Sequence, residues 1–168
     1  MTTRATTRAA TIRATTGAVT RTTRCCAGLA LALALVVPGI AHASDASLRN
    51  ALGTWSHRIG LEARDIGLSA ANRHPRRLTA RALHFRTDAL RAGRALASVS
   101  PSSARGRRAK KLAVAAFREY ALVGRVWALV GRARTAHHDT AATKDARVAV
   151  THAKKANGLL LSADRLLS

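Results

Sequence analysis

The stretch Leu112-Ala-Val-Ala-Ala-Phe-Arg-Glu-Tyr-Ala-Leu-Val-Gly-Arg-Val-Trp-Ala-Leu-Val130 decides the fold. Its apolar residues Leu112, Ala113, Ala116, Phe117, Tyr120, Val123, Trp127 and Val130 recur at steps of three and four, the period of one helix face. Between them, Lys111, Arg118, Arg125 and Arg132 recur every seven residues on the opposite side. A long amphipathic helix over 104–136 follows, and one such helix needs partners to cover its apolar face.

The partners lie on either side. Upstream, Ser98-Val-Ser-Pro-Ser-Ser103 breaks the chain, with Ser102 or Ser103 placed to cap the long helix. Before it, Leu78, Ala82, Phe85, Ala89, Ala92, Leu96 and Val99 set a helix over 76–99 that Pro75 can start, with Leu83 and Leu90 widening its apolar face. Arg73-His74-Pro75 ends an earlier helix over 47–72, because the residue before proline is pushed away from helical geometry. That helix carries Leu48, Leu52, Trp55, Ile59, Ala63, Ile66 and Ala70, with Ser44, Asp45 or Ser47 as its cap. Downstream, His137-His138-Asp139-Thr140 reads as a turn. A fourth helix over 140–167 then repeats Ala142, Ala146, Ala149, Ala153, Ala156, Leu160, Ala163 and Leu167.

Short connections between long amphipathic helices favour antiparallel neighbours, hence an all-α, up-down four-helix bundle. A three-helix core with a loosely packed fourth helix is the alternative. Glycines recur every seven residues inside the helices: Gly53, Gly60 and Gly67, then Gly124 and Gly131. Each weakens a helix by up to about 1 kcal/mol relative to alanine, and the expected compensation is close helix–helix contact at both sets.

Residues 1–43 read as an export signal. The first 24 residues hold Arg4, Arg8, Arg13, Arg21 and Arg24 and no acid; an apolar core from Ala27 to Val37 follows, then Pro38-Gly39 and the small-x-small site Ala41-His42-Ala43. Positive start, short apolar core and small-residue site make up a secretory signal cut after Ala43, leaving one domain over 44–168. The address is then extracellular, periplasmic or cell-envelope. The alternatives are an N-terminal membrane anchor and the thylakoid lumen, the latter because the leader is long and rich in Thr and Arg.

Cys25 and Cys26, the only cysteines, fall in this leader. A domain beginning at Ser44 has no disulfide, cysteine nucleophile or cysteine-ligated metal. It keeps 24 Lys and Arg against 8 acids, and so is drawn to anionic surfaces.

The candidate binding residues follow from that charge. The stripe Lys111–Arg118–Arg125–Arg132 spans roughly 31 Å at 1.5 Å per residue and suits an extended polyanion, although a charge run is also what any solvated helix face presents. Arg105, Arg107, Arg108 and Lys110 precede it; positive charge at a helix N-terminus opposes the dipole, so helix stability does not explain them. The expected partner is an anionic envelope polymer or membrane surface. Nucleic acid is disfavoured, since no DNA-reading module is present and the aromatic residues sit on apolar faces. Pairing of Trp127, Phe117 and Val130 with an Arg face also has the profile of an interfacial helix, unless that face packs inside the bundle.

His57, Leu61 and Leu68 on the outer side of the first helix are a candidate contact for a protein partner or a homo-oligomer. No catalytic constellation is legible, and no cofactor or metal is expected. His84 and Asp88 are four apart, and Asp145 and His152 share a face, but neither makes the Glu-x-x-His pairs of di-metal bundles. Glu62 borders the apolar seam, where burial would raise its pKa and an arginine is the expected partner. In outline the chain resembles small exported helical proteins of GC-rich bacteria. It is similar as well to the basic four-helix subunit of the plant oxygen-evolving complex. Both likenesses imply export and a helical bundle and assign no residue a role.

Overall fold

Phe117 has no exposed surface, and Tyr120 beside it turns its ring edge to Phe85 at a centroid distance of 6.0 Å. Around these rings the computed structural model places four helices: α1 (Gly39–Ala71), α2 (Pro75–Ser98), α3 (Ala104–Thr135) and α4 (Asp139–Leu167). The structure describes residues 39–168, with side chains from Ser44 onward. The export signal read over 1–43 lies outside the described residues, apart from the backbone of 39–43.

Contacts between helix ends set the topology. Ser44 and Asp45 of α1 meet Ser102 and Gly106 at the start of α3, while Arg134 near the end of α3 donates to the Ala70 carbonyl of α1 at 3.0 Å. Those two helices therefore run parallel. Along α2 and α3, Gly93 faces Phe117, Ala82 faces Gly124 and Pro75 faces Gly131, so this pair is antiparallel. The fold is the expected all-α, up-down four-helix bundle.

Side-chain size decides how closely the helices approach. Ala142, Ala149, Ala156 and Ala163 form a buried seam on α4, and Ala109, Ala113 and Ala116 line α3. With nothing beyond Cβ to hold the backbones apart, α3 packs closely on α4, and also on α2. The fourth helix is therefore not the loose one. It is α1 that stands further off, because Leu48, Leu52, Ile59 and Ile66 reach into the core from a greater distance and meet chiefly α2.

Gly124 and Gly131 are the close contacts expected of them. A Cβ on Gly124 would lie 2.7 Å from the Ala82 carbonyl oxygen, and one on Gly131 2.8 Å from that of Pro75. Gly53, Gly60 and Gly67 are not: they are exposed, and an added Cβ on any of them meets nothing within 4 Å. The seven-residue period put both sets on one stripe each. On α1, however, that stripe faces water, as does Ala63, which the pattern had placed on the apolar face.

The helix ends bring further corrections. α1 begins at Gly39 rather than 47, since nothing after Pro38 interrupts an alanine-rich run. Ser44, Asp45 and Ser47 are therefore inside the helix instead of capping it. Ser103 does cap α3, accepting from the Gly106 amide at 2.8 Å. α1 and α3 both close with a paired hydrogen-bond motif. His74 N–H donates to Ser69 O and Arg73 N–H to Ala70 O; His138 N–H donates to Ala133 O and His137 N–H to Arg134 O. This is the Schellman arrangement, which needs a left-handed residue at its centre. Arg73 (φ 53) and His137 (φ 57) adopt that conformation without being glycine.

Candidate functional site

The four stripe cations Lys111, Arg118, Arg125 and Arg132 are all exposed, and none is in an ion pair among the described residues. Their side of α3 lies between its contacts with α2 and α4. On the flank of α2 that meets them, Arg76, Arg86 and Arg94 form a second row. Arg76 lines a shallow groove with Arg132, Arg86 packs against Gly124 next to Arg125, and Arg94 lines a groove with Arg118. The two antiparallel helices thus present one broad face with cations along both of its ridges.

No acid interrupts it. The acids of α2 and α3 are Asp88 and Glu119, and both turn elsewhere: Asp88 to Arg58 of α1, Glu119 to His152 and Lys155 of α4. The stripe on α3 was legible as a seven-residue period. The row on α2 was not, because Arg76, Arg86 and Arg94 are spaced by ten and eight and mean nothing until α2 is docked on α3.

Of the basic residues that open α3, Arg105, Arg107 and Arg108 are exposed, while Lys110 is partly buried. Lys110 Nζ donates to the Val99 carbonyl at 2.7 Å, and Arg107 donates to the Ser102 carbonyl at 2.6 Å. Val99 is the C-cap of α2, whose last turn has no basic residue of its own. A cation from α3 thus meets the negative end of the α2 dipole. Helix stability thus has a part in one of the four positions, Lys110, while Arg107 stays exposed with a hydrogen bond to the loop before α3.

The interfacial face proposed around Trp127 is also revised. Phe117 and Val130 are wholly buried and Trp127 is half-buried, so that side belongs to the core. The exposed apolar groups are on the other side. Leu122 and Leu129 of α3 and Leu83 and Leu90 of α2 stand on the cationic face. For Leu83 and Leu90 this overturns the expectation that they widen the apolar seam.

The titratable groups gather between α1 and α2. Glu62 Oε1 lies 3.3 Å from His84 Nδ1, and its carboxyl faces that of Asp88. Burial first, then a hydrogen bond and charge from Asp88, push the Glu62 pKa up to about 7. A proton on Glu62 turns its otherwise partnerless buried Oε2 into a donor toward Asp88. Burial also opposes ionisation of Asp88, but hydrogen bonds from Glu62 and Arg58 and the Arg58 charge outweigh it and hold that carboxyl below its usual range.

Glu62, His84 and Asp88 bring one ligand atom each within 4.8 Å of the others. Arg58 and Arg91 already neutralise Asp88, and their charge repels a cation from the same place. Asp145 and His152 do not pair; His152 Nδ1 instead lies 2.7 Å from Glu119 Oε2. Together with Lys155 it holds the Glu119 carboxyl below its ordinary range through hydrogen bonds. Tyr120 donates to Asn157 beside this group, so the network ties α3 to α4.

His57, Leu61 and Leu68 are exposed on the outer face of α1, Leu61 by 55 % and Leu68 by 53 %. Among the described residues no helix is long and apolar enough to cross a membrane. Comparison of the chain with known protein families, curated proteins and solved structures finds no match.

Proposed function

We propose that this is an exported, non-enzymatic protein that binds an anionic polymer or headgroup layer of the cell envelope through the α2–α3 face. The observation that carries the reading is the double row of exposed cations, Arg76–Arg86–Arg94 beside Lys111–Arg118–Arg125–Arg132, on a face that no acid interrupts. Helix packing does not require these seven charges. Their mutual repulsion disfavours the fold unless a counter-charge arrives. Exposed cations bind a polyanion through many weak, salt-screened contacts, so affinity comes from number and alignment.

Retention on isolated cell envelopes tests this. The full chain is expected to bind at low ionic strength and to be released by salt. The triple reversal Arg118→Glu, Arg125→Glu and Arg132→Glu is expected to abolish retention while helix content by circular dichroism stays unchanged. Salt-insensitive retention, or a triple variant that binds like the parent, would overturn the reading.

A second reading places a protein partner or a second copy of the chain on α1. It rests on Leu61 and Leu68, each more than half exposed beside His57 and the open Gly53–Gly60–Gly67 stripe. Sedimentation showing a monomer at all concentrations, together with no crosslinked partner, would remove it.

A further inference from the structure

Resting on that reading of the α2–α3 face, we propose that its partner is the surface of an anionic lipid bilayer, with Leu83, Leu90, Leu122 and Leu129 entering the headgroup layer among the cations. Each of the four is about two-fifths exposed, at 38, 42, 38 and 41 %. Their positions are ordered. Leu122 falls between Arg118 and Arg125, Leu129 between Arg125 and Arg132, and Leu83 and Leu90 flank Arg86. Both pairs are seven residues apart, so each forms a line parallel to its helix axis.

Two antiparallel helices sharing such a face make a flat platform that alternates cation and leucine along both ridges. Between the ridges, Leu90, Gly93, Val114 and Phe117 line an apolar groove of about 150 Å³ with Arg94 and Arg118 on its rims. A soluble polyanion would use the arginines and leave the leucines in water. A bilayer engages both, with lipid phosphates opposite the guanidinium groups and the leucines at the headgroup–acyl boundary, the arrangement by which amphipathic helices lie in an interface. Arginine suits that depth, since its aliphatic stem stays among apolar groups while the charge reaches the phosphates. The more exposed Leu61 and Leu68 lack this setting: their helix carries Glu62 and Asp65 beside Arg58 and Arg64, so the charge around them is mixed.

The test uses the full chain with single tryptophans added by Leu90→Trp, Leu129→Trp and, as control, Leu61→Trp. The native Trp55 and Trp127 are a constant background. Vesicles of phosphatidylcholine with or without phosphatidylglycerol carry acyl chains brominated near the headgroup. Each variant is also titrated with soluble polyphosphate. The expected result is a blue shift and loss of most of the added emission for Leu90→Trp and Leu129→Trp, only on phosphatidylglycerol vesicles, with Leu61→Trp unchanged. Reversal of Arg118, Arg125 and Arg132 in the Leu129→Trp background is expected to remove both effects and polyphosphate binding. Polyphosphate binding without quenching at positions 90 and 129 would overturn the lipid proposal and leave the polyanion reading standing. Equal quenching on uncharged vesicles, or at position 61 alone, would also overturn the lipid proposal. Loss of neither activity on charge reversal would sink both.

Discussion

Arg58 Nη2 on α1 lies 2.5 Å from Oδ2 of Asp88 on α2, a carboxylate with no exposed surface, and Arg91 donates to its other oxygen at 3.1 Å. The Arg58 guanidinium also stands over the Trp55 ring at 5.6 Å. Since α1 meets chiefly α2, this contact adds a polar tie to the attachment made by Leu48, Leu52, Ile59 and Ile66. Arg58→Ala leaves the buried carboxylate with Arg91 as its only guanidinium partner and is expected to lower stability by about 1–3 kcal/mol. Arg81→Ala, which breaks an exposed 3.5 Å pair with Asp65, should cost under about 1 kcal/mol. Urea unfolding of the two variants compares them, and equal losses would contradict the special place given to Asp88.

The Glu62 carboxyl makes stability depend on pH in an unusual direction. Its pKa is about 7 in the fold against 4.5 as the ordinary value, so between those limits the folded chain holds a proton that the unfolded chain has lost. This contribution to stability therefore falls as pH rises from 4.5 to 7. Asp88 and Glu119, held below their usual ranges, act oppositely and lose their contribution as pH falls through the acid range. Glu62→Gln is expected to flatten the decline between pH 5 and 7.5 in chemical unfolding. A slope identical to the parent's would count against the shared proton.

The glycines divide into two classes with opposite predicted effects. Gly60→Ala enters open space on an exposed helix face and should stabilise the fold by up to about 1 kcal/mol. Gly124→Ala drives a methyl group against the Ala82 carbonyl and the Arg86 backbone, and overpacking of this kind destabilises by about 1–3 kcal/mol. Thermal melts of the two variants should move in opposite directions.

Arg73 and His137 occupy left-handed positions that favour glycine, at φ 53 and 57. For an L side chain that conformation costs roughly 1–2 kcal/mol. Arg73→Gly and His137→Gly are expected to raise stability, each by about 0.5–1 kcal/mol, after the greater freedom of glycine in the unfolded chain is offset. A lower melting temperature in both would show that these side chains have tertiary roles that outweigh their strain.

Helix number, helix type and most of the core were legible before any tertiary information. A period of three and four residues has only one regular backbone that satisfies it, and Phe85, Phe117, Val130, Ala142, Ala149, Ala156 and Ala163 are buried where that period puts them. The proline and serine breaks likewise mark both ends of α2 and the start of α3 to within a residue. Periodicity orders residues around one helix but says nothing of what stands opposite. That is why Gly60 and Gly124 looked alike, and why Leu83 and Leu90 were assigned to the seam.

The order of residues by itself determined amphipathic helices and their breaks, and the composition a strongly basic chain with its cysteines confined to the first 43 residues. Which charges work together was decided only by docking. Lys110 and Lys111 are neighbours in sequence, yet one completes the end of α2 and the other joins the cation stripe. Arg94 and Arg118 are 24 positions apart and share one groove. Electrostatic and packing energies depend on distance through space, and a sequence fixes that distance only within a single helix.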